Sequence, residues 1–388
     1  MRPLTAKMNA SLRLSALFFM MFLAVGIQLP YWPLWLRAQG LDGEQIGQAL
    51  ALTYLAKIIF NPLAGGIVDH LNSRRKPLIF LGLLTACGFA LFALTPGVVA
   101  IMALTFLANG LFSAMIPISD NLALMKAAEL HLDYPRLRLW GSIGFVVAAL
   151  ACGRWLTQAP PEMIQPLMTV ALAGLAALCF ALPDAAVPLA KDLPTQSPRQ
   201  GSLRDLLGDR RFLAFLGVSA LLQMALAVYY GFATLHWRSE GVSEATIGNL
   251  WSCGVVAEIL FFASAKRFVH RCHPASLIAV GGAGGLLRWS LLAFTSSPPL
   301  LMAAQTLHAA TFACAHLGAM AMIGRIVPAP LSGRAQGLYS SVATGLIPGL
   351  TLPLMGGLYQ SFGGLTFLLA SLFSLLALLG ALAMRRRM

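Results

Sequence analysis

Twelve apolar stretches, each long enough to cross a lipid bilayer, follow one another along this 388-residue chain. A membrane-spanning helix needs about 20 apolar residues. Charged residues make up 11% of the chain, far below the roughly 25% of soluble domains. The sequence therefore predicts an all-α polytopic membrane protein with twelve transmembrane helices, and it excludes a sizeable soluble domain. The predicted spans are 12–36, 45–68, 77–95, 98–125, 139–158, 163–183, 211–236, 245–265, 274–295, 299–324, 335–359 and 364–384.

The basic residues predict how the chain is oriented. If both termini are cytoplasmic, 22 of the 27 Lys and Arg residues lie on the cytoplasmic side, three lie outside, and Lys57 and Arg288 lie within spans. Cytoplasmic loops of membrane proteins carry such an excess of positive charge. We therefore interpret the net charge of +13 as an orientation signal and expect no nucleic-acid partner. The expected location is a bacterial-type inner membrane, with both termini cytoplasmic.

A polar connection and an internal repeat indicate two halves. Residues 183–210 are rich in Pro, Asp, Ser and Arg and follow the sixth span, so we predict a six-helix half at 1–182, a cytoplasmic linker at 183–210 and a six-helix half at 211–388. A shift of 201 residues aligns Leu36–Asn61 with Trp237–Phe262 at seven identical positions. Repeats of this parallel kind are typical of secondary transporters. The alignment places Lys57 and Glu258 at equivalent positions with opposite charge.

Four formal charges fall inside spans: Lys57, Asp120, Glu258 and Arg288. A charge at the bilayer centre costs about 2.5–3.5 kcal/mol, so these four need partners or water in the protein interior. Either a central polar cavity or a set of structural ion pairs would satisfy them. Other polar and aromatic residues at helical spacing favour the cavity, and those selected as candidate site residues are Gln28, Trp32, Asn61, Tyr230 and His308.

One loop resembles the signature loop of the major facilitator superfamily. Gly65-Gly66-Ile67-Val68-Asp69 is followed by Arg74-Arg75-Lys76, with Asn72 where that family usually has Gly. The resemblance implies a fold of two six-helix halves. It also implies that Gly65, Asp69, Arg74 and Arg75 form a conformational latch that locks the cytoplasmic side of the closed state.

Stretches from both halves narrow the resemblance. The segments 29–36, 138–142, 229–232 and 254–258 resemble the 3-phenylpropionate transporter branch of that superfamily. The chain is more distantly similar to the lactose–proton symporter. That similarity implies that Asp120 and Arg138 bind the substrate and that Glu258, Arg288 and His308 serve coupling and binding. Thr311 stands where this relative carries its proton-bearing acid.

We therefore predict a proton-coupled symporter that imports a small aromatic carboxylate by alternating access. The alternatives are symport of a neutral sugar or nucleoside, and drug efflux through the same fold. The sequence has no nucleophile, metal or nucleotide motif, so we expect no catalytic residue, metal site or cofactor. The expected partners of this monomer are an organic anion, protons and the lipid bilayer. The predicted proton-coupling residues are Glu258, Asp120, His308 and Arg288, and the predicted substrate-binding residues are Lys57, Arg138, Asp120, Gln28, Trp32, Tyr230 and Asn61.

Overall fold

The computed structural model describes residues 2–95, 97–185, 203–265, 267 and 269–387, except for the side chains of residues 2–6, 69, 203, 270 and 387. Every regular element in these ranges is helical. The first nine spanning helices are α1 (Arg2–Ala38), α2 (Gly43–Leu71), α3 (Arg75–Leu91), α4 (Val98–Leu130), α5 (Tyr134–Leu156), α6 (Ile164–Phe180), α7 (Arg210–Ser239), α8 (Glu244–Ala265) and α9 (Pro274–Phe294). The last three are α10 (Pro298–Ile326), α11 (332–362) and α12 (Phe367–Arg387).

These helices confirm the predicted all-α membrane fold. Within the described ranges, eleven helical stretches are long and apolar enough to cross a membrane, and the last of them, Ala329–Arg386, contains both α11 and α12. Gly363 separates this pair with a φ of +54°, a conformation that ends a right-handed helix. Each predicted span therefore corresponds to one helix.

Some boundaries differ from the prediction for a physical reason. The fifth span was expected to begin at residue 139, but α5 begins at Tyr134, with Pro135 in its first turn. Proline is well suited to this position because the first amides of a helix have no intrahelical acceptor. The first turn of α5 is polar, so hydropathy does not include it in the predicted span. Arg138 therefore belongs to a helix and not to the preceding loop. The fourth helix likewise continues to Leu130.

Two helices contain a wide turn that hydropathy does not predict. Residues Ala309–Cys314 of α10 and Tyr339–Leu346 of α11 are π-helical. Such turns are rare in proteins, and many of those that occur lie at functional sites. The turn in α10 begins directly after His308, which places an irregular backbone at one of the candidate residues.

Contacts divide the chain into two compact units, Met1–Ala190 and Lys191–Met388. In the first unit α1 packs on α5 and α6, and α3 packs on α4 and α6. In the second, α9 and α7 both pack on α12. Most of the predicted linker 183–210, namely residues 186–202, lies outside the described residues. The part after it forms a short helix, Leu203–Gly208.

The repeated sequence forms the same turn in each unit. After α1, the amide of Gly40 donates to the Arg37 carbonyl and Gly40 has a φ of +85°. After α7, the amide of Gly241 donates to the Arg238 carbonyl and Gly241 has a φ of +81°. Only glycine adopts this left-handed region without a steric cost. The turn therefore explains why a glycine stands at both repeat positions.

We expect Gly40→Ala and Gly241→Ala each to destabilise the protein by about 1 kcal/mol, because a side chain at positive φ is strained. Thermal unfolding in detergent, followed by tryptophan fluorescence, measures the effect. The matched control is Gly324→Ala in α10, where an added Cβ meets nothing within 4 Å and helix propensity improves. Equal unfolding temperatures for all three variants would contradict the explanation.

Candidate functional site

Arg288 of α9 is the most deeply buried charge in the described structure, with 0% of its surface exposed. Its Nη1 donates to Nδ1 of His308 at 3.0 Å and to the Thr311 hydroxyl at 2.9 Å. Its Nη2 donates to Oε1 of Gln305 at 2.5 Å. These three acceptors lie on α10 and are all neutral groups. The guanidinium is therefore held by hydrogen bonds without a directly bound carboxylate.

An acid on a third helix, Glu258, connects to Arg288 through His308. A guanidinium can only donate, so Nδ1 of His308 accepts, and the ring proton is on Nε2. That nitrogen faces Oε2 of Glu258 on α8 at 3.5 Å. No Asp or Glu follows Glu258 in the sequence. The chain Arg288–His308–Glu258 thus joins α9, α10 and α8 through one imidazole.

Aromatic rings enclose this network. The Arg288 guanidinium lies 4.3 Å from the centroid of the Tyr229 ring and 4.6 Å from that of Trp289. Such cation–π contacts contribute roughly 0.5–2 kcal/mol each, most where water is excluded. The Tyr229 hydroxyl also donates to Oε1 of Gln305 at 2.9 Å. Tyr230 stacks on Trp251 beside Tyr229, so this predicted binding residue borders the network.

Two buried atoms of the network lack a hydrogen-bond partner within the described ranges: Nε of Arg288 and Nε2 of Gln305. Both atoms are donors. A buried donor left unpaired costs about 1–3 kcal/mol. The second unit therefore has a polar cluster with a positive charge and a shortage of acceptors.

In the first unit, polar side chains join α1, α2 and α4. The Gln28 amide donates to Oδ1 of Asn109, and the Ser113 hydroxyl donates to Oδ1 of Asn61 at 3.0 Å. Asn109 and Ser113 are buried, whereas Gln28 and Asn61 are half-buried. The structure thus connects two of the predicted binding residues, Gln28 and Asn61, to one helix.

Asp120 and Arg138 form the ion pair that the family resemblance implies. Nε of Arg138 lies 3.5 Å from Oδ1 of Asp120, and each side chain is about one third exposed. The Tyr134 hydroxyl donates to the same carboxylate oxygen at 2.9 Å. The Arg138 guanidinium also lies 4.1 Å from the centroid of the Phe22 ring. A carboxylate accepts from ligand hydroxyls and a guanidinium donates to ligand oxygens, so this cluster offers both kinds of contact to a polar ligand.

Lys57 differs from these paired charges. Its side chain is exposed, and its ammonium lies 5.1 Å from the centroid of the Tyr54 ring. Among the residues the structure describes, it forms no ion pair. Lys57 is therefore a cation within a spanning helix that is available to an anionic ligand.

Trp32 is placed differently from the other predicted binding residues. It is buried, stacks on Trp35 at 4.5 Å and contacts Phe89 and Phe92 edge-on. Its indole N–H has no hydrogen-bond partner in the described structure. Trp32 therefore packs among aromatic rings, and its indole forms no hydrogen bond to Gln28, Asn61 or any other described residue.

Asp184, which lies within the predicted linker 183–210, holds the predicted latch loop in place through hydrogen bonds. Oδ1 of Asp184 accepts from the amides of Arg74 and Arg75 at 3.0 and 3.1 Å, and Oδ2 accepts from the Ser73 hydroxyl at 2.7 Å. That hydroxyl also accepts from the amide of Lys76. Since Pro77 has no N–H, these bonds satisfy the free donors in the first turn of α3. A polar residue just after α6, on the same side as the α2–α3 loop, is the signal that could have identified Asp184.

The arginines of this loop face different neighbours. Arg74 is buried, and its Nε donates to Oδ1 of Asn121 at 2.9 Å, next to Asp120 on α4. Arg75 reaches the Leu182 carbonyl at 3.4 Å. Asn72 has a φ of +43°, where Asn is tolerated better than other non-glycine residues, which explains the departure from the family pattern. Gly65 lies exposed within α2, and the Asp69 side chain lies outside the described residues.

The Asp184 contacts predict a pH-dependent anchor. Burial opposes ionisation of the carboxyl, but the hydrogen bonds from Ser73 and from the amides of Arg75, Arg74 and Ala185 outweigh it and lower the pKa of Asp184. A depressed pKa stabilises the folded state above the unfolded value of about 3.9, and this contribution disappears as the pH falls through the lower folded pKa.

We expect Asp184→Ala to increase amide hydrogen exchange at Arg74 and Arg75 roughly tenfold at neutral pH, since each amide loses its acceptor and one hydrogen bond contributes about 0.5–1.5 kcal/mol. Exchange measured by mass spectrometry on peptides covering residues 72–80 tests this. Asp133→Ala, which removes an exposed acid paired with Arg136, serves as the control. Unchanged exchange in Asp184→Ala would show that the anchor is unnecessary.

Comparisons with known proteins agree with this architecture. A family model described as the MFS_1 like family matches residues 11–369. The "Probable 3-phenylpropionic acid transporter" of Escherichia coli (strain K12) is 32% identical over 361 residues, covering 93% of this chain and 94% of that protein. The maltose permease of Geobacillus stearothermophilus is 30% identical over 336 residues, covering 85% and 82%. These relatives are transporters, and no catalytic family is indicated.

A solved structure is similar over nearly the whole chain. The crystal structure of a variant of the nucleoside transporter NupG has a TM-score of 0.86, at 19% identity, and covers 97% of this chain and 99% of that one. At this level of identity the likeness shows the fold alone.

Proposed function

This chain belongs to the MFS_1 like family and is a multi-pass secondary transporter of the major facilitator type, and from that premise we propose that it is a proton-coupled symporter importing a small aromatic carboxylate. Its bacterial relatives support a location in the plasma membrane. The proposed orientation, with both termini cytoplasmic, rests on the excess of basic residues in the corresponding loops.

The observation that carries the proposal is the chain Arg288–His308–Glu258. While Glu258 is ionised, its charge balances Arg288 through the imidazole. When Glu258 takes up a proton, the cluster keeps a buried positive charge but loses its counter-charge. Binding of an anion then becomes more favourable, because an uncompensated buried charge is costly. Proton and anion therefore favour each other's binding, and by linkage the coupling is reciprocal.

Two features support an anionic substrate. Nε of Arg288 and Nε2 of Gln305 are buried donors without a partner among the described residues, and the carboxylate of a substrate could accept hydrogen bonds from them. In the other unit, Lys57 offers a cation that forms no ion pair with any described residue and lies 5.1 Å from the centroid of the Tyr54 ring. The name of the Escherichia coli relative adds an aromatic acid as the substrate class. Tyr229, Tyr230 and Trp251 supply aromatic faces next to the cluster.

We expect Glu258→Gln to abolish accumulation driven by a proton gradient in proteoliposomes while retaining substrate exchange at equal pH. An amide keeps the shape and the hydrogen bond but cannot carry the proton. Glu240→Gln, an exposed acid at the end of α7, is the control. Normal gradient-driven accumulation by Glu258→Gln would overturn the proton assignment and leave Asp120 as the next candidate for the proton-carrying residue.

We expect Lys57→Ala to raise the KM for 3-phenylpropionate tenfold to a hundredfold, the effect of losing a hydrogen bond to a charged group. Lys126→Ala, which removes a cation paired with Glu129 on α4, is the control and should leave KM unchanged. A KM unaffected by Lys57→Ala would remove Lys57 from the binding residues.

A neutral sugar is the second candidate, favoured by the Asp120–Arg138–Tyr134 cluster and by the similarity to the maltose permease. Competition of labelled uptake by phenylpropionate, benzoate, cinnamate and maltose separates the two classes. Inhibition by maltose alone would replace the carboxylate with the sugar. The direction of transport with an imposed proton gradient distinguishes uptake from efflux.

A further inference from the structure

A groove on the second unit has features that the transport site does not explain. It has a volume of about 510 Å³ and lies between the first turns of α7 and the last turns of α12. Arg210 and Arg211 lie at its end, and Gly217, Leu376, Gly380 and Met384 are among the residues along its length. The groove therefore joins two cations to an apolar surface on membrane-spanning helices.

Two glycines determine the shape of the groove. A Cβ added to Gly217 would meet nothing within 4 Å, which means that the space beside it is empty. Gly380 allows close packing of the two helices, because its added Cβ would lie 2.6 Å from the Val218 side chain. Leu376 is 45% exposed along the same surface. The result is a strip of apolar surface beside a tight helix contact.

The arginines at the end of the groove are free to bind an anion. Both side chains are exposed, and neither forms an ion pair with another residue in the described part of the chain. The nearest acid in sequence, Asp209, uses its carboxylate to accept the Arg211 amide at 2.7 Å, as the cap of α7. Arginine pairs are well suited to phosphate because their planar donor groups match its oxygens.

We infer that this groove binds an anionic glycerophospholipid, with its phosphodiester on Arg210 and Arg211 and one acyl chain along Gly217 and Gly380. Basic pockets at the ends of transmembrane helices recognise lipid headgroups through the same combination of charge and apolar surface. The occupant is a lipid because both walls are spanning helices, whose exposed apolar surface faces hydrocarbon. This inference does not depend on the transported substrate.

Comparison with a larger groove on the first unit supports the assignment of the lipid to the α7–α12 groove. It has a volume of about 860 Å³ and is lined by Met8, Leu12, Phe19 and Trp140. Lys7 is the one basic residue among those lining it. Lysine is a single point charge, whereas the α7–α12 groove offers two guanidinium groups. Charge complementarity to a phosphodiester is therefore greater in the second unit.

Native mass spectrometry of the full-length protein tests the inference with dioleoyl phosphatidylglycerol as the probe and dioleoyl phosphatidylcholine as its zwitterionic counterpart. We expect the wild-type protein to retain one phosphatidylglycerol in preference to phosphatidylcholine. The double variant Arg210→Gln with Arg211→Gln should bind this lipid at least about tenfold more weakly, since each cation near a membrane surface contributes roughly a fivefold factor. The charge-matched control is Arg136→Gln with Arg271→Gln.

A second variant tests the apolar part independently. Gly217→Leu fills the groove while leaving both arginines in place, and Gly324→Leu adds the same side chain at another open helical position. We expect Gly217→Leu, but not Gly324→Leu, to lose the retained lipid. Equal retention in the arginine pair variant, in Gly217→Leu and in their controls would overturn the inference. Equally tight binding of soluble glycerol phosphate would also overturn it, because the acyl chain would then contribute nothing.

Discussion

The second half of this transporter depends on how a buried guanidinium is stabilised. An unpaired ion in an apolar interior is prohibitively costly, so Arg288 needs several donors satisfied at once. α10 supplies three neutral acceptors, α7 supplies an aromatic face through Tyr229, and α8 supplies the balancing acid through His308. Four helices are thus fixed around one charge.

The first half places its charges differently, although it shares the repeat. The turns at Gly40 and Gly241 are alike in backbone conformation and hydrogen bonding. At the equivalent positions 57 and 258, however, one half has an exposed lysine and the other a carboxylate that faces a histidine. Backbone geometry is retained where only glycine fits, whereas polar positions diverge because their partners come from other helices. The two related halves therefore present different charged groups at one repeat position.

Sequence reasoning predicted the spans and the intramembrane charges, since both follow from the cost of placing polar groups in hydrocarbon. It did not predict the start of α5, the π-helical turns or the anchoring of the latch loop. Each of these depends on tertiary contacts. Asp184 is distant in sequence from Ser73 and Arg74, and hydropathy contains no information on which amides a carboxylate will cap. Hydropathy likewise contains no information on the contacts of Trp32, a predicted binding residue that packs on Phe89 and Phe92.

Under the proposed proton coupling, the residue at position 311 bears on which group in the second half carries the proton. Thr311 accepts from Arg288 at 2.9 Å, so an acid at this position would pair with the guanidinium directly and hold α9 to α10. With a neutral hydroxyl there, the proposed counter-charge is Glu258, which faces His308 at 3.5 Å. In the proposed coupling, the imidazole would transmit a protonation event on α8 to the cation on α9. Such a coupling element would respond to the tautomer and position of His308 as much as to the charge of Glu258, and the π-helical turn that begins after His308 lies directly beside it.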